Sequence, residues 1–336
     1  MNRSVMPGLP RAPFGRRSRR VGASVEQPEQ DQPHVEVVET PGLRWINIER
    51  PRGVDHAWLQ EHFDFHPLDY EDVFSRNQRP KVDQYDEYLF IVLHFPRYDK
   101  RVSRLNAAEV DIFVGPDYVI TIPNEPLQPV EYLFERCRTD ETLREQIFSK
   151  GAGYLLYRIV DDCVDASFPM LRKMGNKLEV IEEEIFAGRT MEVVRDISNV
   201  KQEIINFRKI VRPQRPAFRD LERTKQRYIS DDLDIYFDDI LDASERVWDM
   251  LENFKEVAEG LEATNESAIS HRVNDTLRVL TAFSVVILPL TLIASIFGMN
   301  VPLPFSDSPW ALPAILAFMV FVLVGMLWFF RRRGFL

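Results

Sequence analysis

The stretch VLTAFSVVILPLTLIASIFGMN fills residues 279–300, and most of its side chains are apolar. A second apolar run covers residues 310–330, after a short loop at 301–309. Each run is close to the ~20 residues that an α-helix needs to cross the hydrocarbon core of a bilayer. The sequence therefore predicts two transmembrane helices, TM1 (279–300) and TM2 (310–330), at the C-terminal end of an otherwise water-soluble chain.

Basic residues predict the orientation of these helices. Arg331–Arg333 begin a basic tail at 331–336, and Arg272 and Arg278 flank the start of TM1, whereas the loop 301–309 contains no Lys or Arg. Basic residues next to membrane helices favour the cytoplasmic side. We therefore expect a multi-pass protein of the inner (plasma) membrane with both termini in the cytoplasm and a periplasmic loop.

The composition argues against a nucleic-acid partner. The chain has 42 Lys and Arg against 52 Asp and Glu, a formal net charge of -10, whereas nucleic-acid binding needs a concentrated basic face. Cys137 and Cys163 lie far apart in sequence, which predicts buried thiols of a reducing compartment. Residues 1–34 lack an apolar segment, so we expect a disordered tail rather than a transit peptide or a lipid-contacting segment.

The residues before TM1 divide into three parts. Residues 35–150 are predicted to form an α/β domain, because β-branched and aromatic runs of strand length precede a helical pattern that begins near Gln128. Residues 151–230 are predicted to form a helical hairpin from helices over 154–185 and 190–212. Pro213 and Pro216 are expected to break the second of these helices. The predicted strands lie at 45–48, 88–94, 111–114 and 117–122.

Residues 231–278 are predicted to form a stalk helix that continues into TM1. No proline interrupts the helical pattern between Asp232 and the membrane. A helix from Asp232 to Asn300 would be on the order of 100 Å long at ~1.5 Å per residue. Such a length exceeds that of ordinary globular helices and predicts packing against other copies of the chain.

Every hydroxyl side chain between Val279 and Phe297 lies on a single stripe, which begins in the approach to TM1. Its members recur at alternating spacings of three and four: Asn274, Leu277, Thr281, Ser284, Leu288, Thr291, Ser295 and Gly298. Such a stripe is compatible with close packing between membrane helices through small residues. It is equally compatible with the lining of a water-filled pore, in which Leu277 and Leu288 form hydrophobic constrictions. The spacing alone does not distinguish these two interpretations.

The tripeptide Gly298-Met299-Asn300 ends the first of two C-terminal membrane helices, and in this position it resembles the motif of the CorA family of divalent-cation (magnesium) transporters. Together with other similar stretches, it extends the resemblance over most of residues 43–336. The other stretches that resemble the family are Arg278–Thr281, Leu288–Thr291, His66–Leu68 with Glu71–Asp72, Gln78–Lys81, Leu155–Tyr157 and Tyr236–Asp239.

The resemblance implies a funnel-shaped homopentamer in which TM1 lines the pore and TM2 faces lipid. Gly298, Met299 and Asn300 would form the selectivity filter, with Met299 packing and five Asn300 amides ringing the outer mouth. Mg²⁺ releases its water ligands reluctantly, and amide carbonyls can accept hydrogen bonds from those waters. Asp307 in the outer loop is expected to concentrate cations at the mouth or, alternatively, to cap TM2. No organic cofactor is implied.

The resemblance also implies a regulatory cation in the cytoplasmic part. The positions that match the family are Asp72 on one subunit and Asp239 on its neighbour, with Glu71 and Asp165 nearby. Carboxylates from two subunits repel each other when the site is empty and are held together when a divalent ion lies between them. This arrangement predicts closure of the channel by cytoplasmic Mg²⁺.

Two other functions remain open in the sequence. The first is transport of Zn²⁺, Co²⁺ or Ni²⁺ by the same fold, although no ring of Cys or His occurs in the stripe. The second is a membrane-anchored divalent-cation sensor that transports nothing. An enzyme is not predicted, because no nucleophile–base pair or hydrolase-type metal motif is present. His62 and His66 are interpreted as part of a packed surface turn rather than as metal ligands.

Overall fold

The computed structural model describes residues 32–75, 78–99, 104–189, 191–224, 229, 231–299 and 310–333. The described residues form one sheet and a set of helices, of which α8 is the longest. The strands are β1 Glu36–Thr40, β2 Leu43–Asn47, β3 Lys81–Gln84, β4 Leu89–Asp99, β5 Arg104–Val114 and β6 Tyr118–Pro123. The helices are α1 Gly53–His62, α2 Pro67–Phe74, α3 Gln128–Thr139, α4 Glu141–Phe148, α5 Ala152–Asp165, α6 Ser167–Phe186, α7 Val193–Glu222, α8 Asp234–Phe297 and α9 Ala311–Arg332.

The sheet has the strand order β1-β2-β6-β5-β4-β3. Its neighbouring strands are antiparallel except for β2 and β6, which are parallel. β5 and β6 are joined by a tight turn in which the Gly115 N–H donates to the Tyr118 carbonyl at 2.9 Å. The four predicted strands lie within or overlap β2, β4, β5 and β6, so the prediction of an α/β domain is confirmed.

Both faces of the sheet are buried by the chain's own helices. Along β4, Leu89, Ile91 and Leu93 pack in one core with α3, α5 and the start of α8. The alternate residues Phe90 and Val92 pack in a second core with α1 and α2. This alternation follows from the two-residue period of a strand, and β4 is apolar on both sides because each side meets helices.

A third core joins α6, α7 and α8. The buried side chains of α6 recur at spacings of three and four, as expected for a helix that packs along one face. They are Leu171, Met174, Leu178, Ile181 and Ile185, and they contact buried residues of α7 and α8. α6 is separated from α5 by a turn at Ala166, so the region 151–230 contains three helices rather than the two of the predicted hairpin.

The prediction that Pro213 and Pro216 break a helix is wrong, because both lie inside the continuous helix α7. A proline in a helix interior costs ~3 kcal/mol or more, through a lost hydrogen bond and a steric clash. Tertiary packing compensates here, since Ala217 and Phe218 are buried. In addition, the Gln214 side-chain carbonyl accepts a hydrogen bond from the backbone N–H of His94 at 2.8 Å. This bond ties the proline-containing segment to the sheet.

α8 is the predicted long helix, and it contains 64 residues. It begins after a short 3₁₀ turn at Asp231–Leu233, and at ~1.5 Å per residue it is about 96 Å long. Its N-terminal half packs in the cores of the domain through residues such as Phe237 and Leu251. From residue 266 to residue 281 its side chains are exposed or half-buried. Within one chain none of these side chains is fully buried, although the Arg272 guanidinium donates to the Gly188 carbonyl just after α6.

The two cysteines are free and buried, as predicted. They lie in the core that contains α3 and α5. Burial raises the pKa of the Cys137 thiol to about 11, so this thiol stays protonated at neutral pH and acts as an apolar core residue.

Candidate ion pathway and regulatory site

Two described helices are long and apolar enough to cross a membrane. The most apolar 18-residue windows of α8 and α9 have mean hydropathies of 2.4 and 2.5. Only 11% and 0% of these windows is buried within the chain. Apolar side chains exposed over such lengths need lipid or another copy of the chain around them. The prediction of two apolar C-terminal helices is confirmed.

α9 packs along one side of the C-terminal part of α8. On this part of α8, Ala282 and Val286 are the buried residues, which identifies the side that α9 covers. On α9 the half-buried side chains recur at spacings of three and four, which marks one face of the helix. They are Ile315, Met319, Val322, Leu323, Met326 and Phe330.

The polar stripe lies on the side of α8 that faces away from α9. At about 100° per residue, the stripe is centred roughly 150° from Ala282 and Val286. Every predicted stripe member is exposed: Asn274, Leu277, Thr281, Ser284, Leu288, Thr291, Ser295 and Gly298. The stripe is therefore not the packing surface between the two apolar helices of one chain. It is exposed in the single chain.

Two hydroxyls of the stripe donate to their own helix. The Ser284 Oγ donates to the Leu280 carbonyl at 2.9 Å, and the Thr291 Oγ1 donates to the Ile287 carbonyl at 3.0 Å. A hydroxyl has one donor and two acceptor lone pairs. With the donor used by the helix, the oxygen lone pairs are free to accept hydrogen bonds. Acceptors are the groups that contact the water hydrogens of a hydrated cation.

Gly298 and Met299 follow directly after α8, whereas Asn300 and Asp307 lie outside the described residues. Gly298 has a φ of −88°, which any residue adopts. A Cβ at this position would lie 3.0 Å from the Ala294 carbonyl oxygen, so the lack of a side chain permits a close approach to the preceding turn. Met299 is 59% exposed in the single chain, so the expected packing of this side chain stays a prediction about the assembled protein.

The His66–Leu68 stretch forms the start of α2 and positions the first pair of predicted regulatory residues. Pro67 occupies the first turn, where its missing N–H costs nothing, and the His66 Nδ1 accepts from the Leu68 N–H at 3.3 Å. Glu71 is exposed. The Asp72 carboxylate forms an ion pair with the Lys81 ammonium at 2.7 Å.

Asp165 and Asp239 belong to a second acidic patch, where α5 meets α8. Tyr157 and Tyr236 hold the two helices together, with ring centroids 4.8 Å apart. Burial, with the charges of Asp165 and Asp239 contributing, raises the pKa of Asp161 to about 6. Asp161 was not among the predicted ligands. Its spacing of four residues from Asp165, which puts both carboxylates on one helix face, is the signal that identifies it.

One chain does not bring the two pairs of predicted regulatory residues together. α2, which holds Glu71 and Asp72, packs on one face of the sheet. α5 and the start of α8, with Asp165 and Asp239, pack on the other face. Within the described part of the chain, no group of three or more His, Cys, Asp or Glu side chains is arranged to hold a metal ion.

His62 and His66 do not converge on a common point. The ring of His62 stacks on Trp58 with a centroid distance of 4.3 Å, and its Nδ1 lies 2.8 Å from the Trp58 carbonyl. His66 is the N-cap of α2. Phe63 and Phe65 between them pack against the apolar core of the α1–α2 face. The interpretation of this segment as a packed turn agrees with these contacts.

An α/β domain followed by two exposed apolar helices, of which α8 is about 96 Å long, defines the class of a membrane protein with a large soluble part. A family model described as CorA-like Mg2+ transporter protein matches residues 41–332. The chain therefore belongs to this family, which is one of transporters rather than enzymes, and the resemblance seen in the sequence is confirmed.

Individual relatives agree with this assignment. The chain is 31% identical over 294 residues to the cobalt/magnesium transport protein CorA of Thermotoga maritima, covering 87% of this chain and 83% of the relative. Its fold is similar to that of the CorA magnesium transporter from Methanocaldococcus jannaschii, with a TM-score of 0.78, 21% identity and coverage of 89% and 93%. The full-length CmaX protein is similar with a TM-score of 0.68, 20% identity and coverage of 88% and 90%.

Proposed function

We propose that this protein is a Mg²⁺ influx channel, formed by five copies whose α8 helices surround a central pore. The observation that carries the proposal is the polar stripe on the side of α8 opposite α9. With α9 on the outer side toward lipid, the stripes of five copies meet at a common axis. Polar atoms at membrane depth are tolerated where they face a water-filled cavity.

The side chains of the stripe suit a cation that keeps its water ligands. Mg²⁺ dehydrates reluctantly, so its first contacts with the wall are hydrogen bonds from bound waters to acceptors. The hydroxyl oxygens of Ser284 and Thr291 are such acceptors because their protons are donated to the helix. Leu277 and Leu288 lie on the same stripe and would form the hydrophobic constrictions.

Gly298, Met299 and Asn300 form the selectivity filter in this proposal. A ring of neutral Asn300 amides would bind hydrated Mg²⁺ weakly enough to release it, whereas a carboxylate ring would hold it longer. Asp307 in the outer loop would raise the local cation concentration. Entry needs no ATP, since the membrane potential provides ~2.3 kcal/mol per charge per 100 mV, or about twice that for a divalent ion.

The long exposed part of α8 supports assembly of several copies. None of its side chains between residues 266 and 281 is fully buried within one chain, and exposed helices of this length are stabilised by packing against copies of themselves. Both termini lie in the cytoplasm in this arrangement, so the α/β domains form the wide end of a cytoplasmic funnel.

Carboxylates of neighbouring subunits would hold a cytoplasmic Mg²⁺ ion between them and so keep the channel closed. Glu71 and Asp72 of one subunit would face Asp165 and Asp239 of the next, and hard carboxylate oxygens are the ligands that Mg²⁺ prefers. The donor set fits this ion, because Asp165 and Asp239 are exposed, and their charges add to burial in raising the pKa of the neighbouring Asp161. The ion would supply positive charge that relieves repulsion between the subunits. If Asp239→Lys left influx fully sensitive to cytoplasmic Mg²⁺, this mechanism would be wrong.

Uptake into proteoliposomes tests the channel. We expect Mg²⁺ flux through the wild-type protein and a loss of at least about tenfold with Asn300→Ala, as for removal of a hydrogen-bonding ring worth ~1.4 kcal/mol or more. The exposed Asn253→Ala, on the distant part of α8, is the matched control. Parallel measurements with Co²⁺, Ni²⁺ and Zn²⁺ rank the ions. Absence of any flux would leave a non-transporting cation sensor as the function.

Transport of Co²⁺ is the second candidate. The Thermotoga maritima relative is a cobalt/magnesium transport protein. The stripe contains only oxygen-bearing polar side chains, which favour hard ions over softer ones. A higher flux for Co²⁺ than for Mg²⁺ at equal concentration would support this candidate over the first.

A further inference from the structure

Lys81 lies between two carboxylates at the first position of β3. Its ammonium is 2.7 Å from an Oδ of Asp72 and also contacts the carboxylate of Asp83, two residues along the same strand. The ammonium lies over the ring of Phe90 at 5.1 Å from the centroid. An attractive cation–π contact and two carboxylates therefore define the position of this single positive charge.

The Lys81–Asp72 pair is partly shielded from water. The two side chains are 33% and 19% exposed, so the attraction between them is screened less than that of a surface pair. Burial lowers the pKa of Lys81, but its hydrogen bonds to Asp72 and Asp83 and the charges of these carboxylates outweigh burial and raise the pKa above its ordinary value. The ammonium is therefore charged at every physiological pH.

Asp72 differs from the other proposed ligands of the regulatory ion because it forms an ion pair. Among the described residues, Glu71, Asp165 and Asp239 form no ion pair, whereas Asp72 has a lysine on its carboxylate. A divalent ion that binds Asp72 must displace this ammonium or share the carboxylate with it. Displacement leaves Lys81 with Asp83, so the lysine does not become an unpaired, half-buried charge.

We propose that Lys81 is a tethered competitor of the regulatory cation, an internal ammonium that must leave Asp72 before a divalent ion binds there. This inference rests on the proposed role of Asp72 in regulation. In this mechanism the Lys81–Asp72 pair sets the Mg²⁺ concentration at which the subunits are bridged, and Asp83 is the position to which the ammonium moves. The sequence of exchange is release of Asp72 by Lys81, then binding of Mg²⁺ to the free carboxylate.

Titration of the full-length protein in detergent with Mg²⁺, followed by protection from limited proteolysis, tests the competition without measuring transport. Lys81→Met removes the competitor, and we expect the Mg²⁺ concentration of half-maximal protection to fall roughly three- to tenfold, as for loss of a partly shielded ion pair. Asp83→Asn removes the alternative partner of Lys81 and should raise this concentration. Arg79→Met deletes an exposed positive charge nearby and should leave it within about twofold.

The double variant Asp72→Asn/Lys81→Met separates this inference from the proposed function. If Asp72 is a ligand, Asp72→Asn alone weakens protection, and adding Lys81→Met then changes nothing further. An unchanged midpoint in Asp72→Asn would overturn the regulatory role of Asp72. A weakened midpoint in Asp72→Asn together with no effect of Lys81→Met would overturn only the competition. Circular dichroism of each variant verifies that it is folded, and Lys81→Arg should restore the wild-type midpoint.

Discussion

The sheet domain and the exposed part of α8 differ in where their apolar side chains lie. Those of the sheet domain are buried, whereas most of those along this part of α8 are exposed. In the sheet, strands such as β4 are covered on both faces by helices of the same chain, and Phe90 and Ile91 are completely buried. Along α8 between residues 266 and 299, by contrast, Ala282 and Val286 are the described residues that are buried. The first region is complete within one chain. The second leaves most of its apolar side chains uncovered by its own chain, and this is the region that contains the proposed ion pathway.

Removing a large side chain from the sheet core should produce the largest loss of stability. Phe113 is fully buried and its ring stacks on Phe65 at 4.1 Å. Phe113→Ala should lower the free energy of unfolding of the α/β domain by about 3–5 kcal/mol, through lost burial and a cavity. Chemical denaturation followed by circular dichroism measures this loss.

Phe186→Ala is the matched control for this substitution, because Phe186 is 76% exposed. We expect a change below about 0.5 kcal/mol for the control. Equal losses in the two variants would contradict the contrast between a self-sufficient sheet domain and exposed helical surfaces.

Asp111 is an ionisable side chain inside the sheet core. The pH dependence of the stability therefore tests how completely this core is buried. Asp111 is fully buried, and neither carboxyl oxygen has a hydrogen-bond partner among the described residues. Burial, followed by the charges of Glu109 and Asp72, raises the pKa of Asp111 well above its ordinary value. The group is protonated in the folded state and ionised when unfolded above about pH 4, so it lowers stability progressively as pH rises from there toward the folded pKa.

Asp111→Val should therefore stabilise the domain at neutral pH by about 1–3 kcal/mol, the cost of a buried group without a partner. The gain should shrink as the pH is lowered toward 4, where the wild-type carboxyl is protonated in both states. Denaturant midpoints measured from pH 4 to pH 8 check this difference. A gain that is independent of pH would contradict the assignment of a neutral Asp111.

Substitutions in the stripe of α8 should have the opposite consequence to those in the sheet core. They should reduce transport strongly and change stability little. Thr291→Val keeps the shape of the side chain but removes the acceptor oxygen. We expect Mg²⁺ flux in proteoliposomes to fall about tenfold, since a hydrogen bond worth ~1.4 kcal/mol is lost at the barrier. Thr276→Val is the control, because Thr276 also bonds its own helix but lies off the stripe. Equal loss of flux in both would exclude a pore along the stripe.

The smallest expected effect lies at Asp161 on α5, beside the start of α8. Its pKa is raised to about 6 by burial and by the neighbouring carboxylates. A carboxyl with a raised folded pKa contributes stability that is present below about pH 4 and is lost between about pH 4 and pH 6. Asp161→Asn should be more stable than wild type by about 1 kcal/mol above pH 6 and equal to it near pH 4. Thermal melts at the two pH values measure this difference.

The sequence predicted the features that depend on local periodicity. The apolar runs are visible in the composition of consecutive residues, and the stripe and the long helix in spacings of three and four residues. These features can therefore be read without knowledge of distant contacts. The strands within β4 to β6 were predicted for the same reason. The continuation of α7 through its two prolines was not predicted, because the hydrogen bond from His94 to Gln214 and the burial of Phe218 outweigh the cost of these prolines.

The candidate regulatory site illustrates the same limit. Asp72 and Asp239 were found through a resemblance to a known family. The sequence does not indicate, however, that the lysine nine residues after Asp72 forms an ion pair with its carboxylate. The acidic patch of Asp161 likewise depends on the packing of α5 against α8. Which charged side chains become neighbours depends on how helices and strands from distant parts of the chain pack. The local sequence pattern does not reveal that packing.

The amino-acid sequence by itself determined that this chain has two apolar helices, a polar stripe along one of them and a long helix that leads into the membrane. These properties arise from side-chain spacing along a single helix axis. The tertiary structure decided that the stripe faces away from α9, that α7 continues through Pro213 and Pro216, and that Asp72 is held by Lys81. Each of these depends on contacts between elements far apart in the chain, where packing and charge outweigh local preference.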